Sequence, residues 1–176
     1  MIKHQYIFPI KSERLYFEPL GTKDIPAWQE FFEDNSNLAF VGITDPQAPY
    51  QEALKWIERQ KKRYIDTGVG VLGAYLKDSG KLIGNCGLIW RENILGEDVF
   101  EIGYSVIPAY WNEGIASEMA IRFRVYFEEH QLGSKVISII AVKNYGSQKV
   151  AEKNGFLRGV EFKFNGTLCL QYFKEY

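Results

Sequence analysis

A strand, a tight turn and the beginning of a helix succeed one another around residues 100–120, and this stretch constrains the fold most. The residues from Val99 to Ile107 are rich in β-branched and aromatic side chains, which is typical of a buried strand. Pro108 cannot donate a hydrogen bond to a sheet and therefore ends the strand. A helix is predicted to begin at Gly114, since apolar side chains then recur at helical spacing, at Ile115, Met119, Phe123, Tyr126 and Phe127.

The beginning of this helix is a candidate phosphate site. The first N–H groups of a helix have no partner within it, and the helix dipole adds partial positive charge there. Gly114 and Ala116 have little or no side chain to block a ligand, and Asn112 tolerates a positive φ. The alternative is an ordinary strand–helix connection that binds no ligand, because short glycine motifs are weak signals.

Length, charge and composition narrow the class of protein. The 176 residues suit one domain, and a net charge of −1 argues against a mainly electrostatic nucleic-acid binder. Cys86 and Cys169 are too few for a disulfide framework and suit a reducing compartment. His4 and His130 lack the spacing of metal ligands, so no metal site is expected. Because the sequence has no signal peptide or long apolar run, a cytoplasmic protein without a membrane segment is expected.

The remaining pattern predicts a mixed α/β fold with the element order βααβββαβαββ. After a leader at residues 1–12, strands are predicted at residues 14–20, 71–77, 82–90, 99–107, 136–142, 156–164 and 167–173. Helices are predicted at residues 24–34, 51–66, 114–132 and 146–154. The helix at 114–132 connects a locally parallel pair of strands, and Asn165-Gly166 is a strong hairpin signal. A mixed sheet of about seven strands with four helices on its two faces follows.

Four short motifs resemble one protein family in their order and spacing. They are Glu13-Arg-Leu-x-Phe-x-Pro-Leu20, Ile83-Gly84-x-x-Gly87-Leu88, Glu101-Ile-Gly-Tyr104 followed by Trp111-x-x-Gly-x-Ala116, and Asn144-x-x-Ser147 followed by Lys153-x-Gly-Phe156. With them the chain resembles the GNAT superfamily of acyl-CoA-dependent N-acetyltransferases. It looks most like the Rim-type branch, which includes the ribosomal-protein alanine/serine N-acetyltransferases. The resemblance implies one GNAT domain over residues 1–176, with a mostly antiparallel sheet.

The resemblance also implies a site for acetyl-CoA. The pyrophosphate would lie on backbone N–H groups of Asn112, Gly114, Ile115, Ala116 and Ser117, with Trp111 packed beside the loop. The pantetheine arm would pair with the edge of Ser105, Val106 and Ile107, where the strand separates from the one at 136–142. The N–H of Val106 or Ile107 would polarise the thioester carbonyl, and Asn144 would anchor the pantetheine amides.

Three positions depart from the family pattern. Asn112 stands where this branch commonly has Gly, and it is compatible with the same backbone. Glu113 replaces a common Lys, Arg or Gln and is expected to point to solvent. Ala151 stands where many members have a general-acid Tyr, so that role falls to Ser147.

Glu101 and Ser147 are the candidate catalytic residues. Glu101 would act as general base, through a water, if it lies in a partly dry cleft. Otherwise it would pair with a basic neighbour or face solvent. Ser147 would protonate or hydrogen-bond the leaving thiolate, or it would cap the helix at 147–154.

The acceptor is expected to be a primary amine, either a protein N-terminal α-amine or a small molecule such as an antibiotic, polyamine or amino acid. Its pocket is expected between the first two helices, the loop at 35–50 and the Asn165-Gly166 hairpin, and a strongly acidic cleft would favour a polyamine. A CoA-binding regulatory module without catalysis is a further alternative, and a monomer and a homodimer both remain open. The aromatic residues of that region are Trp28, Phe31, Phe32, Phe40, Tyr50 and Trp56, and most of them are expected to lie in the core.

Overall fold

The computed structural model describes residue 1 and residues 3–176. Its strands are β1 Ile10–Lys11, β2 Leu15–Glu18, β3 Val71–Leu76, β4 Leu82–Ile94, β5 Glu97–Val106, β6 Lys135–Ala141, β7 Leu157–Phe164 and β8 Thr167–Glu175. Its α-helices, within the described residues, are α1 Ile25–Trp28, α2 Pro49–Asp66, α3 Ile115–Glu129 and α4 Tyr145–Lys153. The strands form a sheet in the order β1-β2-β3-β4-β5-β6-β8-β7, which confirms the mixed, mostly antiparallel fold.

The largest differences from the prediction concern three parts of the fold. The sheet has eight strands among the described residues rather than about seven, because residues 10–11 of the predicted leader pair with β2. The first α-helix ends at Trp28, well before its predicted end, and continues as a 3-10 turn. β4 and β5 include most of residues 91–98, which separate the two predicted strands, since the chain reverses tightly at Leu95 and Gly96, with φ of 52° and 86°.

β5 and β6 form the predicted parallel pair, but they remain together only briefly. Phe100 pairs with Val136 and Glu101 pairs with Ile137, and beyond these positions the two strands separate. On its other side β5 pairs with β4 along almost its whole length. One half of β5 therefore has an open edge towards β6.

The two faces of the sheet are covered by different helices. Alternate side chains of β4 and β5 form an apolar core with α3, which includes Cys86, Leu88, Phe100, Ile102, Phe123 and Phe127. α1 and α2 cover part of the other face around the buried aromatic side chains of Trp28, Phe31, Phe32 and Trp56. These four are core residues as predicted, whereas Tyr50 is exposed.

Both cysteines are buried free thiols. The rings of His4 and His130 lie 5.7 Å apart, a proximity that their distance along the chain does not indicate. The described part of the chain contains no group of three or more side chains suited to hold a metal ion. None of the helices over those residues is long and apolar enough to cross a membrane.

Candidate active site

A cleft opens where β5 and β6 separate, on the face of the sheet that carries α2. It encloses a cavity of about 210 Å³. α2, the segment Phe40–Gly42 and the β7–β8 hairpin line it, which are elements expected around the acceptor, whereas α1 does not contribute. Asn144 and Ser147 line the same cleft, so the expected acceptor and coenzyme regions meet there.

The hydrogen-bond pattern of β5 determines which backbone groups reach the open edge. Ile107 N–H donates to Ile83 C=O at 2.9 Å, and this bond continues the antiparallel ladder between β4 and β5. Because backbone groups alternate in direction along a strand, Val106 and Tyr104 direct their N–H groups away from β4, towards the open edge. Of the two expected donors to the thioester carbonyl, Val106 N–H therefore has the required direction and Ile107 N–H does not.

Side chains limit the open edge at both ends. Ser138 Oγ donates to Ile102 C=O at 2.8 Å, at the point where β5 and β6 separate. At the other end, Trp111 Nε1 donates to Val106 C=O at 2.7 Å and packs the turn after β5 against the strand. Trp111 thus lies beside the predicted coenzyme loop, as expected.

The turn before α3 contains two residues with a positive φ. Gly114 is the N-cap of α3 with φ of +78°, and Asn112 also has a positive φ, of 65°. A Cβ added at Gly114 would have no described neighbour within 4 Å except Arg14 Nη2 at 3.7 Å, so the backbone is open to a ligand. Glu113 is exposed, in agreement with the expectation that it points to solvent.

Arg14 holds this turn against the first strands. Its guanidinium donates to Glu113 C=O at 3.1 Å and to Glu118 Oε2 at 2.7 Å. The Glu118 carboxylate also accepts from Ser12 Oγ at 2.6 Å. Partial burial raises the pKa of Glu118, but these hydrogen bonds and the charge of Arg14 outweigh it and lower the pKa overall.

Glu101 lies in the floor of the cleft and is paired with a cation. Only 6% of the residue is exposed, and Arg91 Nε donates to its Oε2 at 2.5 Å. The Arg91 guanidinium also stacks 5.1 Å from the centre of the Phe164 ring. Glu101 therefore both faces the cleft and pairs with a basic neighbour, whereas the sequence analysis treated these two arrangements as alternatives.

Asn144, and not Ser147, caps α4. Asn144 Oδ1 accepts a hydrogen bond from Ser147 N–H at 3.1 Å, which is the N-cap arrangement. The alternative of Ser147 as the cap is therefore wrong, and its side chain lines the cleft. Ser147 C=O accepts from Tyr104 Oη at 2.9 Å, which ties α4 to β5, and burial raises the pKa of that tyrosine so that it stays a donor.

Asn85 is a buried polar residue that the sequence reasoning missed. It lies on β4 opposite Ser105, lines the cleft and is 0% exposed. Neither polar atom of its side chain has a hydrogen-bond partner among the described residues, an arrangement that costs about 1–3 kcal/mol. Its position as a polar residue inside the predicted apolar strand at 82–90 could have indicated a role in the site.

Three arginines in the cleft were also missed. Arg59 and Arg63 reach it from α2, and Arg91 reaches it from β4. Loss of solvent contact, followed by the charges of Arg91 and Arg59, lowers the pKa of Arg63 to about 10, so the group stays charged at pH 7. Glu101 is the single carboxylate that lines the cleft within the described residues, so the cleft is cationic rather than acidic. The signal was the four-residue spacing of Arg59 and Arg63, which places both on one helix face.

Comparisons with known proteins identify what this arrangement resembles. The model of the acetyltransferase (GNAT) domain matches residues 14–157. The protein YkkB of Bacillus subtilis is 32% identical over 125 residues, which are 70% of this chain and 70% of that protein.

Solved structures share the fold over nearly the whole chain. An acetyltransferase from Agrobacterium tumefaciens str. C58 has a TM-score of 0.79 at 21% identity, covering 98% of this chain and 97% of that one. RimL, a ribosomal L7/L12 alpha-N-protein acetyltransferase solved in complex with coenzyme A, has a TM-score of 0.73 at 16% identity, covering 96% and 98%.

Proposed function

Because the chain belongs to the GNAT acetyltransferase family, we propose that it transfers an acetyl group from acetyl-CoA to a primary amine bound in the cleft beside α2. The observation that carries this proposal is the open edge of β5. Ser105 on this edge lines the same cavity as Glu101, Asn144 and Ser147, and β5 leads directly into the turn before α3. The buried carboxylate argues against a purely regulatory module, since such a module needs no base.

The coenzyme would bind along this edge. Its pyrophosphate would accept hydrogen bonds from N–H groups in the turn and first residues of α3, between Asn112 and Ser117. Its pantetheine amides would pair with β5 at Tyr104 and Val106, in the manner of an added strand, because the expected backbone contact at Ser105 is directed to β4 instead. Asn144 would contact them from the N-cap of α4.

The chemical step is direct attack of the amine on the thioester carbonyl carbon. A C–N bond forms, the C–S bond breaks, and CoA leaves as a thiolate. Val106 N–H stabilises the negative charge that develops on the carbonyl oxygen. Glu101 accepts the proton of the amine through a water, Arg91 orients the carboxylate, and the Ser147 hydroxyl hydrogen-bonds the thiolate, which then takes up a proton.

Two acceptor types have separate support. An α-amine with a pKa of about 7.7–8.0 requires only a modest base, so a single carboxylate such as Glu101 suffices. RimL, which shares the fold, is an alpha-N-protein acetyltransferase. A small amine is favoured by the cavity of about 210 Å³, which admits a group of amino-acid size.

Calorimetry of acetyl-CoA binding tests the proposal, with Gly114→Trp as the variant and Gly96→Trp as its matched control. Both glycines have a positive φ, of 78° and 86°, so the two substitutions strain the backbone similarly. Only Gly114 lies at the beginning of α3. We expect binding to be lost in Gly114→Trp and kept in Gly96→Trp. Absence of binding by the folded wild type at millimolar acetyl-CoA would overturn the proposal.

A further inference from the structure

The charges around the cleft are unbalanced. Arg59, Arg63 and Arg91 line it together with one carboxylate, Glu101, within the described residues. Arg91 already pairs with Glu101. No carboxylate among those residues lies within 4.0 Å of Arg59 or Arg63, whose polar contacts leave most of their N–H groups available.

Holding these cations together has an electrostatic cost. Partial loss of solvent contact and the neighbouring guanidinium charges lower the pKa of both Arg59 and Arg63, although Glu52 and Glu101 partly offset this. Each charge is therefore less favourable here than in water. Like charges close together are kept where a function requires them, and an anion bound between them would relieve the repulsion.

Stacking orients two of the guanidinium groups. Arg59 lies 4.8 Å from the centre of the Trp56 ring, and Arg91 lies 5.1 Å from that of Phe164. A guanidinium stacked on an aromatic face keeps the N–H groups on its edge free for a planar, two-point contact with a carboxylate or phosphate. Arg63 is fixed by its Nη1 contact to Gln60 Oε1 at 3.1 Å.

We propose that the acceptor carries an anionic group, a carboxylate or a phosphate, close to its amine, and that Arg63 and Arg59 bind this group while the amine faces Glu101. The proposal rests on the proposed acetyl transfer. Both arginines and Glu101 line one small cavity, so a single acceptor reaches all three. A polyamine does not fit, because its additional positive charges would meet three arginines.

Matched pairs of acceptors test the inference through kcat/KM for CoA release. The pairs are alanine and alaninamide, the peptide amides Ala-Glu and Ala-Gln, and phosphoethanolamine and ethanolamine, with spermidine as a polycation. The three pairs distinguish whether the acceptor is a free amino acid, an acidic peptide N-terminus or an amine that carries a phosphate. We expect the acidic member of at least one pair to be preferred by about tenfold or more, as a charge-assisted contact provides.

Variants assign any preference to the arginines. Arg63→Gln should abolish the preference for the acidic acceptor, mainly by raising KM. Arg59→Gln, at the more exposed position, should reduce this preference. It replaces Arg63→Gln in the test if that variant does not fold. Lys62→Gln removes a positive charge from the same helix at an exposed position outside the cleft and should leave the preference unchanged.

The outcomes separate this inference from the proposed function. Equal or better use of the neutral members, or a preference that survives both arginine substitutions, overturns the anionic acceptor. Acetyl-CoA binding without acetylation of any acidic amine overturns it as well and leaves the coenzyme site intact. Failure to bind acetyl-CoA removes the proposed function. The anion site then stands only if inorganic phosphate raises the Tm more in wild type and Lys62→Gln than in Arg63→Gln.

Discussion

Along the paired segments 85–89 of β4 and 101–105 of β5, the side chains at even positions enter an apolar core beneath α3, whereas those at odd positions face the cleft. Leu88 and Ile102 represent the first set, and Asn85, Glu101 and Ser105 represent the second. All five are at least nine-tenths buried. Burial alone therefore does not separate the two faces; the difference is that one excludes polar groups and the other retains them.

The two faces differ in what they contribute. Burial of a leucine-sized side chain contributes about 1.5–3 kcal/mol to stability. By contrast, the unpartnered amide of Asn85 and the uncompensated arginines reduce stability. Polar groups that are buried at a cost on one face of a strand mark the face that binds a ligand.

The largest expected effect is that of Glu101→Gln on the cleft face. We expect kcat/KM at pH 7 to fall by about 100-fold or more, because the proposed base is lost while a hydrogen-bond acceptor remains for Arg91. The deficit should shrink as the pH rises above about 8, where an α-amine acceptor deprotonates without help. The measurement is a pH profile of kcat/KM.

Glu97→Gln is the matched control for that substitution. Glu97 is on the same strand and is also paired with a cation, Lys135, but it is exposed and lies outside the cleft. It should keep wild-type kcat/KM. A deficit in Glu101→Gln that stays constant with pH would contradict the role of Glu101 as base.

On the core face, Leu88→Ala should affect stability instead of catalysis. Leu88 is 0% exposed, so the substitution leaves a cavity and should lower the free energy of unfolding by about 2–5 kcal/mol. The kcat/KM per folded molecule should change by less than about threefold. Urea denaturation and assays below the transition measure the two quantities, and Leu88→Met, which keeps the volume, should cost less than about 1.5 kcal/mol.

Local sequence signals were sufficient to predict the main secondary-structure elements and how they are connected. The strand–turn–helix around Gly114, the parallel pair of β5 and β6 and the final hairpin are all as predicted. Asn165 and Gly166 both have a positive φ, of 47° and 81°, which this two-residue turn requires. Each of these features depends on neighbours in the chain or on the general rule for crossover connections.

The details of the candidate site depend on register and packing, which the sequence does not specify. Whether Val106 or Ile107 directs its N–H to the open edge follows from the pairing of β5 with β4. The competition between Asn144 and Ser147 for the cap depends on where α4 begins. The arginines of α2 became part of the site only because that helix lies over the opening between β5 and β6.

Asn85→Leu replaces a polar side chain of the cleft face with an apolar one of the kind found on the core face. An apolar side chain of similar size removes the unpartnered amide, so the free energy of unfolding should stay the same or rise by about 1 kcal/mol. We expect kcat/KM to fall by about tenfold, as for the loss of one hydrogen bond to a bound group. Lower stability together with full activity would show that the amide has a structural partner and no ligand.

The smallest expected effect concerns the charged pair of Arg14 and Glu118, at the rim of the core face. The folded-state pKa of Glu118 is lowered, so its stabilisation is fully present above the unfolded-state pKa of about 4.3 and is lost as the pH falls through the folded-state value. The Arg14 side chain is 42% exposed, so the pair contributes at most about 1 kcal/mol.

The free energy of unfolding of wild type should therefore exceed that of Glu118→Gln at pH 7, and the difference should decrease as the pH falls below about 4. Glu129→Gln, on a more exposed part of α3, provides the control, and its difference from wild type should be smaller at pH 7. A difference for Glu118→Gln that does not change with pH would mean that the hydrogen bonds of Glu118, rather than its charge, hold the turn before α3. In that case the turn would keep its conformation in acid, and the proposed coenzyme site would depend less on ionic contacts than the cleft does.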